Sequence, residues 1–124
     1  VAPPYAPCVA GWRQQGIDMR KVEIVAAAEQ EALWALEQCL RSGSCAAVLA
    51  WPRQADDRAL RRVQVAADAG RAQAWVFRDR RHLAHASPAA LRLELEAKPE
   101  PRVWVRKCRG GQAPAQAVPL PLFA

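Results

Sequence analysis

The sequence of 124 residues is most informative at first for what it lacks. No apolar run approaches the roughly 20 residues that a membrane span requires. No charged, apolar and small-residue series of the secretory type opens the chain. It begins on Val rather than Met, and the expectation is a piece of a longer chain. Four cysteines, Cys8, Cys39, Cys45 and Cys108, include no Cys-x-x-Cys pair and are too sparse for a disulfide scaffold. Reduced thiols in a cytoplasmic protein are expected. His82 and His85 lie close together in "RRHLAHAS", but no cysteine or carboxylate cluster completes a ligand set, so both are read as loop histidines and no metal is expected. None of the six glycines is followed by Lys, which excludes the Gly-Lys-Ser/Thr phosphate cradle. No Gly-x-Ser-x-Gly elbow occurs, no Cys–His arrangement is convincing, and no strand ends on a carboxylate placed for Mg²⁺. Neither an enzyme nor a cofactor is expected.

What remains is globular. The chain is 52% hydrophobic and 24% charged, one domain's worth of sequence around one core. The net charge of +6 is unevenly placed: residues 1–52 sum to −1 and residues 53–124 to +7. Such an imbalance suits an acidic partner, whether nucleic acid or an acidic protein face.

Along the chain, "VAPPYAPC" is extended, and a short helix through "CVAGWRQQ" is predicted to stop at a left-handed Gly16. "KVEIVA" (21–26) is strand-like. From Gln30 to Arg41, Ala32, Leu33, Ala35, Leu36, Cys39 and Leu40 share one side of a helix that Gly43 ends. Trp34 falls on the opposite side, to be covered by the Pro-rich start or by another protein. "CAAVLAW" (45–51) is apolar throughout, as in a strand covered on both faces. Asp56 or Asp57 caps a helix over 57–69 that Gly70 stops. Its inward side holds Ala59, Leu60, Val63, Ala66 and Ala67, and its outward side Arg58, Arg61 and Arg62. "AQAWVF" (72–77) is a third strand. "LRLELE" (91–96) alternates strictly, as a half-exposed edge strand does, and "RVWVRK" (102–107) returns as its hairpin partner. The tail "QAPAQAVPLPLFA" is predicted to lack regular structure, with Leu120, Leu122 and Phe123 able to dock. The plan is α/β: three parallel strands flanked by helices, extended by an antiparallel hairpin, in a single domain over 1–111 with a tail over 112–124.

"ALWALEQCLRSGSCAAVLAW", "ALRRVQVAADAGRAQAWVFR" and "SPAALRLELEAKPEPRVWVRKCRGG", in this order from about Ile17 to Gly111, resemble the ImuA family of translesion-synthesis accessory proteins. That family is similar to the division inhibitor SulA and, more remotely, to the RecA core. The resemblance implies a RecA-like sheet lacking its N-terminal phosphate-loop unit, with Trp51 where a RecA-type strand carries an acidic residue. An indole cannot ligate Mg²⁺, which takes oxygen ligands. The implied function is that of a non-enzymatic adaptor in DNA-damage-induced (SOS) mutagenesis, with an ImuB-like protein, RecA and an error-prone polymerase subunit as partners.

Three surfaces are candidates for such contacts: Trp34; the arginines Arg58, Arg61 and Arg62; and the basic end Arg106, Lys107 and Arg109. Other readings are a SulA-like inhibitor of the division GTPase, a RecA-type ATPase, and a direct DNA binder. Few aromatics interleave the arginines as a base-stacking platform requires.

Overall fold

A computed structural model describes residues 1–121. The elements run α1 (Val9–Gln14), α2 (Glu29–Arg41), β1 (Ala47–Ala50), α3 (Asp57–Gly70), β2 (Gln73–Val76), β3 (Leu91–Glu96), β4 (Arg102–Cys108) and β5 (Val118–Pro119), with 3₁₀ turns at Met19–Lys21 and Arg80–Ala84. The α/β class holds, but the sheet is divided. β1 and β2 form a two-stranded parallel sheet, and β3, β4 and β5 form a separate antiparallel one. The chain correspondingly separates into two compact units, residues 1–86 and the residues from Ser87 onward. Among the described residues no helix is long and apolar enough to cross a membrane.

The first unit is held by apolar burial. α2 and α3 lay their helical stripes on one side of the sheet, and Leu36, Leu40, Val48, Ala50, Val63 and Ala66 form its core. Leu36 and Leu40 are wholly buried, each contributing about 1.5–3 kcal/mol of transfer free energy. The cap of α3 falls at the first of the two expected positions: Asp56 Oδ1 accepts the Ala59 amide at 2.7 Å. Its stop differs from expectation. Gly70 is still helical, and the left-handed residue is Arg71, with φ of 52°. Gly70 is small for another reason: a Cβ there would lie 1.6 Å from the Leu40 carbonyl oxygen, so α3 closes onto the end of α2 through backbone alone.

Three other expectations are corrected. Residues 21–26 form no strand: a 3₁₀ turn capped by Asp18 runs into extended chain, which leaves two parallel strands rather than three. This segment gains only isolated contacts, such as Val25 O accepting the Ala2 amide at 2.9 Å, and a strand exists only through a ladder. β1 is covered on one face, not two. Val48 and Ala50 are buried under the helices, whereas Leu49 and its partner Trp75 on β2 are exposed. Finally, the hairpin does not extend the parallel sheet; it builds its own with part of the tail. Val118 and Pro119 pair with Val103 and Arg102, and the Leu120 amide bonds to Pro101 O at 2.9 Å. Leu122 and Phe123 lie outside the described residues.

The hairpin reverses the usual sense of an amphipathic sheet. β3 pairs with β4 from Leu91↔Cys108 to Glu96↔Arg102, with one bulge at Arg92/Leu93 that admits Arg106 as an extra residue. The leucines of β3 are exposed, and Glu94, opposite Trp104, is only 6% exposed. The polar face carries a tight network instead. Arg106 bonds Glu94 through Nε at 2.7 Å and lies over the Trp104 ring at 4.9 Å. Arg102 Nε and Trp104 Nε1 both donate to Glu96 Oε2, at 2.7 and 3.1 Å.

Candidate functional site

The outer side of the two helices gathers four of the seven residues nominated from sequence. Arg62 Nε donates to Glu37 Oε1 at 3.0 Å, with the Glu37 side chain largely covered. This pair spans the seam between α3 and α2. Gly70 meets α2 at Leu40, further along both helices, so the two helices run in the same direction. Trp34 lies one turn before Glu37, and Arg58 one turn before Arg62, which sets both at the same end of the seam. Trp34 is 65% exposed. The expected cover by the Pro-rich start does not occur; those residues line a different groove. Arg61 is tied to Asp57 at 2.8 Å, one turn back on α3. Val65, 57% exposed, extends the apolar part of this surface between the arginines.

Each residue of the basic end contacts its own unit, while Arg106 and Arg109 stay exposed. Arg106 is committed to Glu94 and Trp104, Lys107 Nζ donates to Ser87 O at 2.8 Å, and Arg109 Nη2 donates to Pro88 O at 3.0 Å. Lys107 and Arg109 brace the hairpin against the chain that leads into it, and Arg106 ties β4 to β3.

Two features escaped the sequence reading. One is the leucine face of the second unit: Leu91, Leu93 and Leu95 on β3 are exposed, as is Val118 on β5, with β4 between the two strands. Their alternation was legible, but alternation reports a period and not which face is covered. The other is an open groove of about 1080 Å³ beyond the carboxyl ends of β1 and β2, where open α/β sheets usually bind their ligands. Tyr5, Ile24, Trp51, Arg53, Phe77 and Arg78 are among its lining residues. Trp51 stacks on Phe77, centroids 4.9 Å apart and planes 12° from parallel, so the indole that ends β1 is a packing group. Arg78 Nη2 donates to Ala55 O at 2.7 Å and lies 3.1 Å from His82 Nδ1. Since a guanidinium has only donors, that nitrogen accepts and the other carries the proton. Burial, then the charges of Arg78 and Arg81, hold His82 below its ordinary pKa. Among the described residues no three His, Cys, Asp or Glu side chains come together as a metal site. The four cysteines are free thiols, Cys8 exposed and the others half-buried.

Compared with protein-family models, with curated proteins and with solved structures, the chain shows no significant match.

Proposed function

We propose that this protein is a non-enzymatic adaptor that acts by binding other proteins, in the DNA-damage-induced mutagenesis setting implied by its ImuA-like motifs. The partners in this reading are an ImuB-like polymerase relative, RecA and an error-prone polymerase subunit, and the setting is cytoplasmic. The RecA-like sheet belongs to the same proposal; β1, α3 and β2 supply one parallel strand–helix–strand unit consistent with it.

The observation that carries the reading is Trp34. A large aromatic left 65% exposed at a helix seam, with Arg58 at the same end, has the composition of an interface anchor. Arg61 and Arg62 are engaged by Asp57 and Glu37, and Arg106 by Glu94. Carboxylates beside these arginines favour a protein partner over a phosphate backbone, which would be repelled by them.

The test is capture of the ImuB-like protein and of RecA by the full chain, by Trp34→Ala and by Arg58→Glu. Arg62 is left intact because it ties α3 to α2. Loss of an aromatic anchor is expected to weaken capture about thirtyfold, equivalent to about 2 kcal/mol. Capture of neither protein, or capture unchanged by both substitutions, overturns the proposal.

A further inference from the structure

The outer side of the helix seam is built as two matching ends around one ion pair. Arg62 and Glu37 form that pair in the middle, at 3.0 Å. On α2, Trp34 lies one turn before Glu37 and Arg41 one turn after it. On α3, Arg58 lies one turn before Arg62 and Val65 one turn after it. Because the helices run in the same direction, Trp34 and Arg58 share one end of the seam and Arg41 and Val65 the other. Each end thus presents one exposed apolar side chain and one exposed arginine.

The charges left after internal pairing specify what fits. Glu37 is taken by Arg62, Asp57 by Arg61 and Glu29 by Arg53. Glu31 on α2 and Asp68 on α3 each stand six positions from a member of the central pair, roughly 120° round the helix and off the seam. Among the described residues Arg41 and Arg58 hold no ion pair. The complement of this surface is therefore a carboxylate and an apolar group at each end. A strand is a poor occupant, because a helix pair has no unpaired backbone edge to extend; a helix laid in the groove binds through side chains alone. Arg62 meets Glu37 and Gly70 meets Leu40. Carried along the seam, that alignment sets Arg58 about ten residues before Arg41, or roughly 15 Å at the helical rise.

We propose that the seam takes an amphipathic helix of a partner protein, acidic at both ends of its docking face. Carboxylates at positions i and i+11 meet Arg58 and Arg41, and apolar side chains at i+4 and i+7 pack on Trp34 and Val65. These four positions lie on one face of a helix and cover about three turns, the length that the two arginines set. The inference rests on the adaptor reading of this surface and adds what the partner must bring to it.

The test is the fluorescence anisotropy of a labelled, alanine-based peptide of about 18 residues, long enough to be helical, titrated with the full chain. One peptide carries Glu at i and i+11 and Leu at i+4 and i+7; a control carries Lys at both acidic positions. The acidic peptide is expected to bind, less tightly as salt rises, and the control is expected not to. Trp34→Ala is expected to weaken binding about thirtyfold and Arg58→Glu about tenfold. Arg58→Glu adds an acid to the first turn of α3, which favours that helix, so the loss is not one of folding. A peptide with Lys at whichever single acidic position faces residue 58 is expected to restore binding to that variant. Equal binding of the acidic and lysine peptides, or no rescue by either single-lysine peptide, overturns the proposal. So does binding of a single-stranded oligonucleotide through these residues when the acidic peptide is not bound. Capture of the ImuB-like protein or RecA that depends on Trp34, without peptide binding, overturns this inference alone. Peptide binding with the expected losses, but capture of neither protein, upholds the acidic-helix seam and removes only the partners named for the adaptor.

Discussion

In the first unit the largest wholly buried side chains are Leu36 and Leu40, whereas in the second the deepest β3 side chain is Glu94 and the leucines face outward. The first unit is a packed two-layer structure: two helices meet at a seam so close that one contact is backbone on backbone. The second is held by its ladders and by arginine–glutamate pairs laid over a tryptophan. Apolar packing is nearly indifferent to salt, but charge pairs are screened by it. The comparison teaches that the two units should fail by different routes under different conditions.

The largest expected break lies in the first unit. Gly70→Ala inserts a methyl into the space occupied by the Leu40 carbonyl and must push the helices apart. A cost of about 3 kcal/mol is expected, at the upper end for overpacking, read as a lowered denaturation midpoint with hairpin amide protection unchanged. An unchanged midpoint would mean that the helices do not approach this closely.

A smaller effect is expected in the second unit. Arg106→Ala leaves the Glu94 carboxylate covered without its guanidinium and strips the cation from Trp104. Because the Arg106 side chain is itself 44% exposed, the expected loss is about 2 kcal/mol, below that for a fully buried pair. Hydrogen exchange at β3 and β4 amides should report it, and added salt should narrow the gap between variant and parent. Equal salt sensitivity in the two units would erase the distinction drawn between them.

The smallest effect sharpens the comparison through pH. His82 in the first unit is held below its ordinary value by burial and by neighbouring Arg78 and Arg81. Its folded form therefore binds a proton less readily than its unfolded form. The associated stability is complete above the unfolded value of about 6.5 and falls as pH drops from there through the lower folded value. His82→Gln should flatten that slope in the first unit and leave the second untouched. A slope that persists unaltered would assign it to other groups.

The helices were legible because Ala32, Leu36, Leu40, Val63 and Ala66 recur at helical spacing and their burial follows from that period. The exposure of Trp34 was legible for the same reason, as an apolar residue on the wrong side of the wheel. Residues 21–26 misled because β-branched side chains record strand propensity, whereas a strand needs a neighbour that no local pattern names. Val118–Pro119 was hidden in the opposite way, since a proline-rich segment acquired a ladder from Val103 and Arg102. Gly70 looked like a helix stop because its close neighbour, Leu40 O, is thirty positions away in sequence. Of the site, the helix arginines could be placed from sequence with Asp57 alongside them, one helical turn before Arg61, but Glu37 as the counter-charge of Arg62 could be assigned only in three dimensions.

The bulge in the hairpin has a consequence for how this unit tolerates changes in length. Arg92 faces Lys107 and Leu93 faces Val105, so Arg106 sits between two rungs without a rung of its own. Excising that single position would let the strands close into regular register with every other pairing retained. What would vanish is the guanidinium that lies over Trp104 and bonds Glu94. The inserted residue thus brings with it the counter-ion for the acid beneath it, which makes this point of the chain easy to shorten in geometry and hard to shorten in charge.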